Sequence, residues 1–206
     1  MTTAEVIIRY PILQGCQDDI QAALDMLIGC YRNGGKVLLC GNGGSASDCG
    51  HITGELMKGF LKKRPITGKL ANELEAQPDG ALLAKLQGAL PAIDLTVHNA
   101  LIAAFANDVD AGLAYAQQVV GYGKQGDVLI AISTSGNAKN VQLAAQAAHA
   151  VDMKVLGLSG GTGGGLLPLC DVCICVPAQL THEVQELHLP VYHMLCAGVE
   201  AAFFDT

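Results

Sequence analysis

The 206-residue chain has no tryptophan and only 4% aromatic residues, so its core must be built from aliphatic side chains. Charge is scarce as well, at 15% of residues. Lys and Arg number 12 and Asp and Glu 19, a formal charge of −7. That balance argues against direct binding of nucleic acid, whose phosphate backbone selects basic surfaces. No apolar run approaches the roughly 18 residues of a membrane span. Residues 1–10 lack the basic start and apolar stretch of a secretory leader. What is plentiful is apolar side chain, at 50%, which excludes a disordered chain. So little charge on so apolar a chain predicts subunit interfaces. The length suits one domain around one core.

Eight cysteines could signal disulfides. Cys40, Cys173, Cys175 and Cys196 sit inside apolar runs, where cysteine packs as a small hydrophobe. The one close pair, Cys173 and Cys175, is expected to point to opposite faces of a strand. All eight are therefore read as reduced, in a cytoplasmic protein.

Strands alternate with helices along the chain. Ile20, Ala23, Leu24, Leu27 and Ile28 recur at helical spacing over residues 17–32, and Asn33-Gly34-Gly35 ends that helix. Short apolar runs predict strands over 36–40, 92–96, 127–132, 154–158 and 172–176. Helices are predicted over 46–60, 99–105, 110–120, 141–150 and 182–203. Residues 61–90 are irregular, with one short helix expected over 82–90, and 159–165 reads as a flexible run. Continuous apolar strands between helices predict an α/β fold with a parallel sheet covered on both faces. Ligands of such sheets sit at the carboxyl ends of the strands.

Two loops at strand ends carry polar chemistry. Cys40-Gly41-Asn42-Gly43-Gly44-Ser45-Ala46-Ser47 can turn sharply and deliver free N–H groups of the next helix to an anion. Gly41, Gly43 and Ala46 also satisfy the weak dinucleotide fingerprint, but no acidic residue ends a second strand about 20 positions on. A plain strand-to-helix turn is the alternative. Ser133, Thr134 and Ser135, followed by Gly136 and Asn137, offer neutral donors to a phosphate monoester, or a helix cap using one hydroxyl. No lysine is placed as in a phosphate-binding P-loop.

His51 and Glu55, four apart, share a helix face, as a surface pair, two metal ligands, or a base and its neighbour. Gln185, Glu186, His188 and His193 lie on the last helix, where Pro190 is expected to introduce a bend. His188 and His193 are too far apart around the axis to serve one site. His188 reads as a buried core histidine, and His182 with Glu186 as a surface pair.

Taken in order, Cys-Gly-Asn-Gly-Gly-Ser, His51-x-x-x-Glu55, Ile-Ser-Thr-Ser-Gly-Asn and Gln185-Glu186-x-His188 with His193 resemble the SIS (sugar isomerase) domain, and within it the phosphoheptose isomerase group. The resemblance runs from about residue 17 to 204. It implies a single SIS domain over 1–206, with a five-stranded parallel sheet in a three-layer, flavodoxin-like sandwich. It also implies an N-terminal helical segment over 1–33 and an insertion near 66–91. It implies a homotetramer, with interconversion of sedoheptulose 7-phosphate and an aldoheptose 7-phosphate through an enediol. Glu55 and His193 match the family's catalytic pair. Asn42, Gly43, Gly44, Ser45, Ser133, Thr134, Ser135, Asn137 and Gln185 match its substrate loops and contacts. His51, Glu55, Gln185 and His193 match the zinc-binding residues of some members, so zinc is an optional cofactor. The chain departs from the family pattern at Ala138, where a fourth phosphate-loop serine is expected, and at His98 and His182. The rival reading is a non-catalytic SIS protein, either a sugar-phosphate sensor or an adapter that associates with a DNA-replication initiator. The retention of His51, Glu55 and His193 favours the enzyme.

Overall fold

The apolar runs pair as one five-stranded, all-parallel sheet in the computed structural model, which describes residues 2–204. The strands are β1 (Val37–Gly41), β2 (Ala92–Asp94), β3 (Val128–Ile132), β4 (Lys154–Gly160) and β5 (Val172–Val176). The helices are α1 (Thr3–Arg9), α2 (Gln17–Arg32), α3 (Gly44–Met57), α4 (Gly68–Glu75), α5 (Gly80–Leu83), α6 (Asn99–Asp108), α7 (Ala114–Tyr122), α8 (Lys139–Ala150) and α9 (Thr181–Phe203). Strand order is β2-β1-β3-β4-β5. The chain leaves β1 in one direction for β2 and continues on its other side with β3, so the switch point lies between β1 and β3.

β1 and β3 are buried at all five positions, which is why they read as unbroken apolar runs. Alternation along each strand still divides them between two cores. Val37, Leu39, Ile130 and Ile132 pack with α2, α3 and α9 on one face. Leu38, Cys40, Leu129 and Ala131 pack with α7 and α8 on the other. The result is three layers.

Several expectations change. The helix expected over 82–90 is α5, which begins at Gly80 and ends at Leu83. Irregular residues 61–90 also hold α4, an eight-residue helix with only Ala71 and Leu74 half-buried and none of its side chains fully buried. The run 159–165 is ordered rather than loose: Gly160 N–H donates to the Thr134 carbonyl and Gly161 N–H to that of Val176. Helix α9 continues through Pro190 without a break in its assignment. All eight cysteines are free. Cys173 and Cys175 share a face, with sulfurs 3.7 Å apart, because alternate strand residues point the same way. Among the described residues no helix is long and apolar enough to cross a membrane.

Candidate functional site

The loops after β1 and β3 meet at the switch point. Between them lies a cleft of about 260 Å³ lined by Asn42, Ser45, Ser133, Thr134, Ser135 and Asn137, with Ile132 and Ala138. Asn140, at the start of α8, joins the loops: its amide and that of Asn42 exchange two hydrogen bonds of 2.9 Å. The Tyr115 hydroxyl donates to the Gly41 carbonyl at 2.7 Å, and burial pushes its pKa up to about 12, so it stays a donor.

Not all the expected donors face the cleft. At the start of α3 the N–H groups of Ser45, Ala46 and Ser47 are taken by the carbonyls of Asn42 and Gly43, so they are not free for an anion. Ser133 Oγ accepts from Ala138 N–H at 3.4 Å and Ser135 Oγ from Asn137 N–H at 3.2 Å, leaving both hydroxyl hydrogens to donate. The Asn137 side chain is committed to backbone. It donates to the Ser135 carbonyl and accepts from Gly165 N–H, lashing the loop to the turn after β4. Gly136 (φ +69°) allows that lashing, since a Cβ there would lie 1.8 Å from the Gly163 oxygen.

The titratable residues gather where α3 packs on α9. His51 Nε2 is 3.3 Å from Glu55 Oε1 and 3.5 Å from His193 Nε2. His51 Nδ1 lies 3.0 Å from the Tyr192 hydroxyl, which in turn donates to Asp48 at 3.3 Å. Glu55 Oε2 is buried without a hydrogen-bond partner, 3.7 Å from Lys58 Nζ. Burial, then the neighbouring His51, hold the His193 pKa below the usual histidine value, against the pull of Glu55. Burial raises Asp48, with the Tyr192 hydroxyl opposing. Phe60 covers His193 at a ring separation of 5.5 Å. Gln185 reaches from α9 to the first loop, close enough that a Cβ on Gly44 would lie 2.3 Å from its Nε2. Helix α9 thus touches the first loop as well as carrying His193. His188 stays apart and fully buried, with Nε2 3.2 Å from the Ser159 carbonyl. His182 and Glu186 are exposed.

The SIS-domain profile matches residues 11–94 and 80–160. Phosphoheptose isomerase of Rhodospirillum rubrum is 37% identical over 201 residues, covering 98% of this chain and 93% of that one. The enzyme of Methylibium petroleiphilum is 41% identical over 184 residues, covering 88% and 80%. The chain belongs to the SIS-domain family, in its phosphoheptose isomerase group. Solved phosphoheptose isomerases from Neisseria gonorrhoeae (31% identity, TM-score 0.75, 96% of this chain and 94% of that one) and Francisella tularensis (30%, 0.75, 97% and 92%) share its fold.

In this SIS domain the donor types around His51 suit zinc, and the two separations of 3.3 and 3.5 Å resemble the edges of a tetrahedron with bonds of about 2.0–2.1 Å. Among the described residues, however, no group of three or more His, Cys, Asp or Glu side chains is placed to hold a metal ion. Sequence reasoning missed Asn140, Asp48 and Tyr192. Asp48 lies one turn before His51 and Tyr192 beside His193, and only the packing of α3 on α9 reveals that they meet.

Proposed function

We propose that this chain is a ketose–aldose isomerase of phosphosugars, acting on sedoheptulose 7-phosphate through an enediol, with the phosphate in the cleft between the β1 and β3 loops. The observation that carries the reading is the buried Glu55 Oε2, which accepts no hydrogen bond, beside the His51–His193 pair. A carboxylate with one oxygen free of hydrogen bonds is a competent base, and an imidazole held neutral can both give and take a proton. Glu55 takes the proton from C1 while His193 protonates the C2 oxygen, giving the enediol. His193 then recovers a proton from the C1 oxygen, and Glu55 returns its proton to C2. Gln185 orients the sugar from the α9 side. Ser133, Thr134 and Ser135 hold the phosphate with Asn42, Gly43, Gly44 and Ser45, while Asn137 fixes the loop.

Zinc belongs to the proposal only as an optional occupant of His51, Glu55, Gln185 and His193, where it would polarise the carbonyl. A cytoplasmic homotetramer is also proposed. It is supported by free cysteines and by exposed Ile8 (79%), Val97 (62%) and Leu180 (57%). Light scattering on the purified chain tests the assembly.

The test of the activity is proton NMR of sedoheptulose 7-phosphate in deuterated water, comparing the chain with Glu55→Gln. Turnover is expected to fall by at least about 100-fold in the variant, the usual loss on removing a general base. Near-normal turnover in a folded Glu55→Gln protein would sink the base assignment. Neither product nor exchange with the native chain would favour the non-catalytic reading.

A further inference from the structure

Arg64 and Glu200 form the most enclosed ion pair in the described chain, with relative exposures of 0% and 1%. Arg64 Nε donates to Glu200 Oε1 at 2.8 Å. Its other two nitrogens donate to the carbonyls of Leu56 (2.5 Å) and Glu55 (2.9 Å). These are last-turn carbonyls of α3, which lack a partner within the helix; that of Leu56 also accepts from Leu90 N–H at 3.0 Å. The helix runs into an extended Lys58 (φ −139°, ψ 169°), so the guanidinium does what a glycine cap does elsewhere. Glu200 completes the arrangement from α9. Its Oε1 accepts from Phe60 N–H at 2.8 Å, and its Oε2 from Leu61 at 2.7 Å and Lys62 at 3.0 Å. Burial works against the Glu200 charge, but these N–H groups and Arg64 outweigh it and hold the carboxyl below its ordinary value. The chain leaving α3 is thereby folded back against α9, which sets the Phe60 ring on His193.

We infer that the Arg64–Glu200 pair is a positioning device for proton transfer, fixing Glu55 through its carbonyl and His193 through Phe60. The inference rests on the proposed roles of Glu55 and His193. Its physical ground is that a buried ion pair is a poor source of stability compared with apolar packing. This pair instead directs its hydrogen bonds at the end of α3, which carries Glu55, and at the turn that sets Phe60 on His193. Lysine could keep the charge but not the fork, because an ammonium cannot reach two carbonyls and a carboxylate in one plane.

The test is a double-mutant cycle on the full chain with sedoheptulose 7-phosphate. In folded Arg64→Lys, kcat is expected to fall about tenfold or more, since small displacements of a reacting group cost up to about 100-fold, while KM stays within about threefold. Placed in the Glu55→Gln background, the same substitution should cost several-fold less kcat than in the native chain, because one of the two groups it positions is already gone. An equal loss in both backgrounds, or an unchanged kcat in Arg64→Lys, would overturn the inference. Should Arg64→Lys fail to fold, Glu200→Asp carries the same cycle with the charge kept and the carboxylate withdrawn. Loss of the fold in both would assign the pair to stability alone and overturn it too. Normal turnover in Glu55→Gln by itself would be a failure of the base assignment, seen before the cycle is run, and the inference would fall with it.

Discussion

Gly44→Ala separates function from stability in one methyl group. Gly44 opens α3, where alanine is the better helix former by up to about 1 kcal/mol, so the helix itself should not suffer. The new Cβ would lie 2.3 Å from Gln185 Nε2, whereas ordinary contact begins near 3.4 Å. The amide must therefore withdraw by about 1 Å, and it can, because it is the end of a flexible side chain. A displacement of that size at a substrate-orienting group costs up to about 100-fold in rate, close to 2.7 kcal/mol of barrier. The expected result is a melting temperature within about 2 °C of the native chain and kcat/KM for sedoheptulose 7-phosphate reduced by one to two decades. Thermal melting and initial rates on the same preparation are sufficient. An unchanged kcat/KM would remove Gln185 from the substrate's surroundings. A large fall in melting temperature would mean that α3 and α9 cannot adjust and that the site is rigidly packed there.

Ser133→Ala removes the hydroxyl proposed to donate to the phosphate and the acceptor of Ala138 N–H, so calorimetric titration with inorganic phosphate should show at least about tenfold weaker binding, alongside about 0.5–1.5 kcal/mol lost stability. Equal phosphate affinity would move the anion to the β1 loop. Burial holds His188 below the usual histidine pKa, so the unfolded chain binds its proton more readily than the folded one. The stability from that neutral imidazole is complete above the unfolded value near 6.5 and is lost as pH falls below it, by up to about 1.4 kcal/mol per pH unit. Urea unfolding at pH 7.5 and 5.5 should show a steeper loss in the native chain than in His188→Gln; parallel slopes would refute it.

The sheet was legible because strands buried on both faces leave unbroken apolar runs, as in 128–132. The loops that meet at the switch point were legible for a related reason: glycine and hydroxyl residues directly after such runs have few structural excuses. What the sequence hid depends on contacts between distant segments. Arg64 lies in an irregular stretch with Lys62 and Lys63 beside it, yet it is fully buried against a partner 136 positions away. Asn137 reads as a ligand donor, but its amide is held by a turn 28 residues on. The pairing of His51 with Tyr192 spans 141 residues. Helix α4 escaped because eight residues opened by a glycine are too few for the helical period to stand out.

The cleft between the β1 and β3 loops has one further consequence. Its lining holds no charged side chain, while the whole chain carries a charge of −7. On the proposed reading, an incoming dianion is repelled at long range by the net charge and held by short dipolar contacts once it arrives. Ionic strength then acts on the two stages differently. Salt shortens the reach of the repulsion to a Debye length of about 8 Å at physiological concentration, yet barely weakens hydrogen bonds made in contact. Such a site is least hindered in a salty interior. Its grip would discriminate among sugar phosphates by shape and hydroxyl placement, with little help from charge.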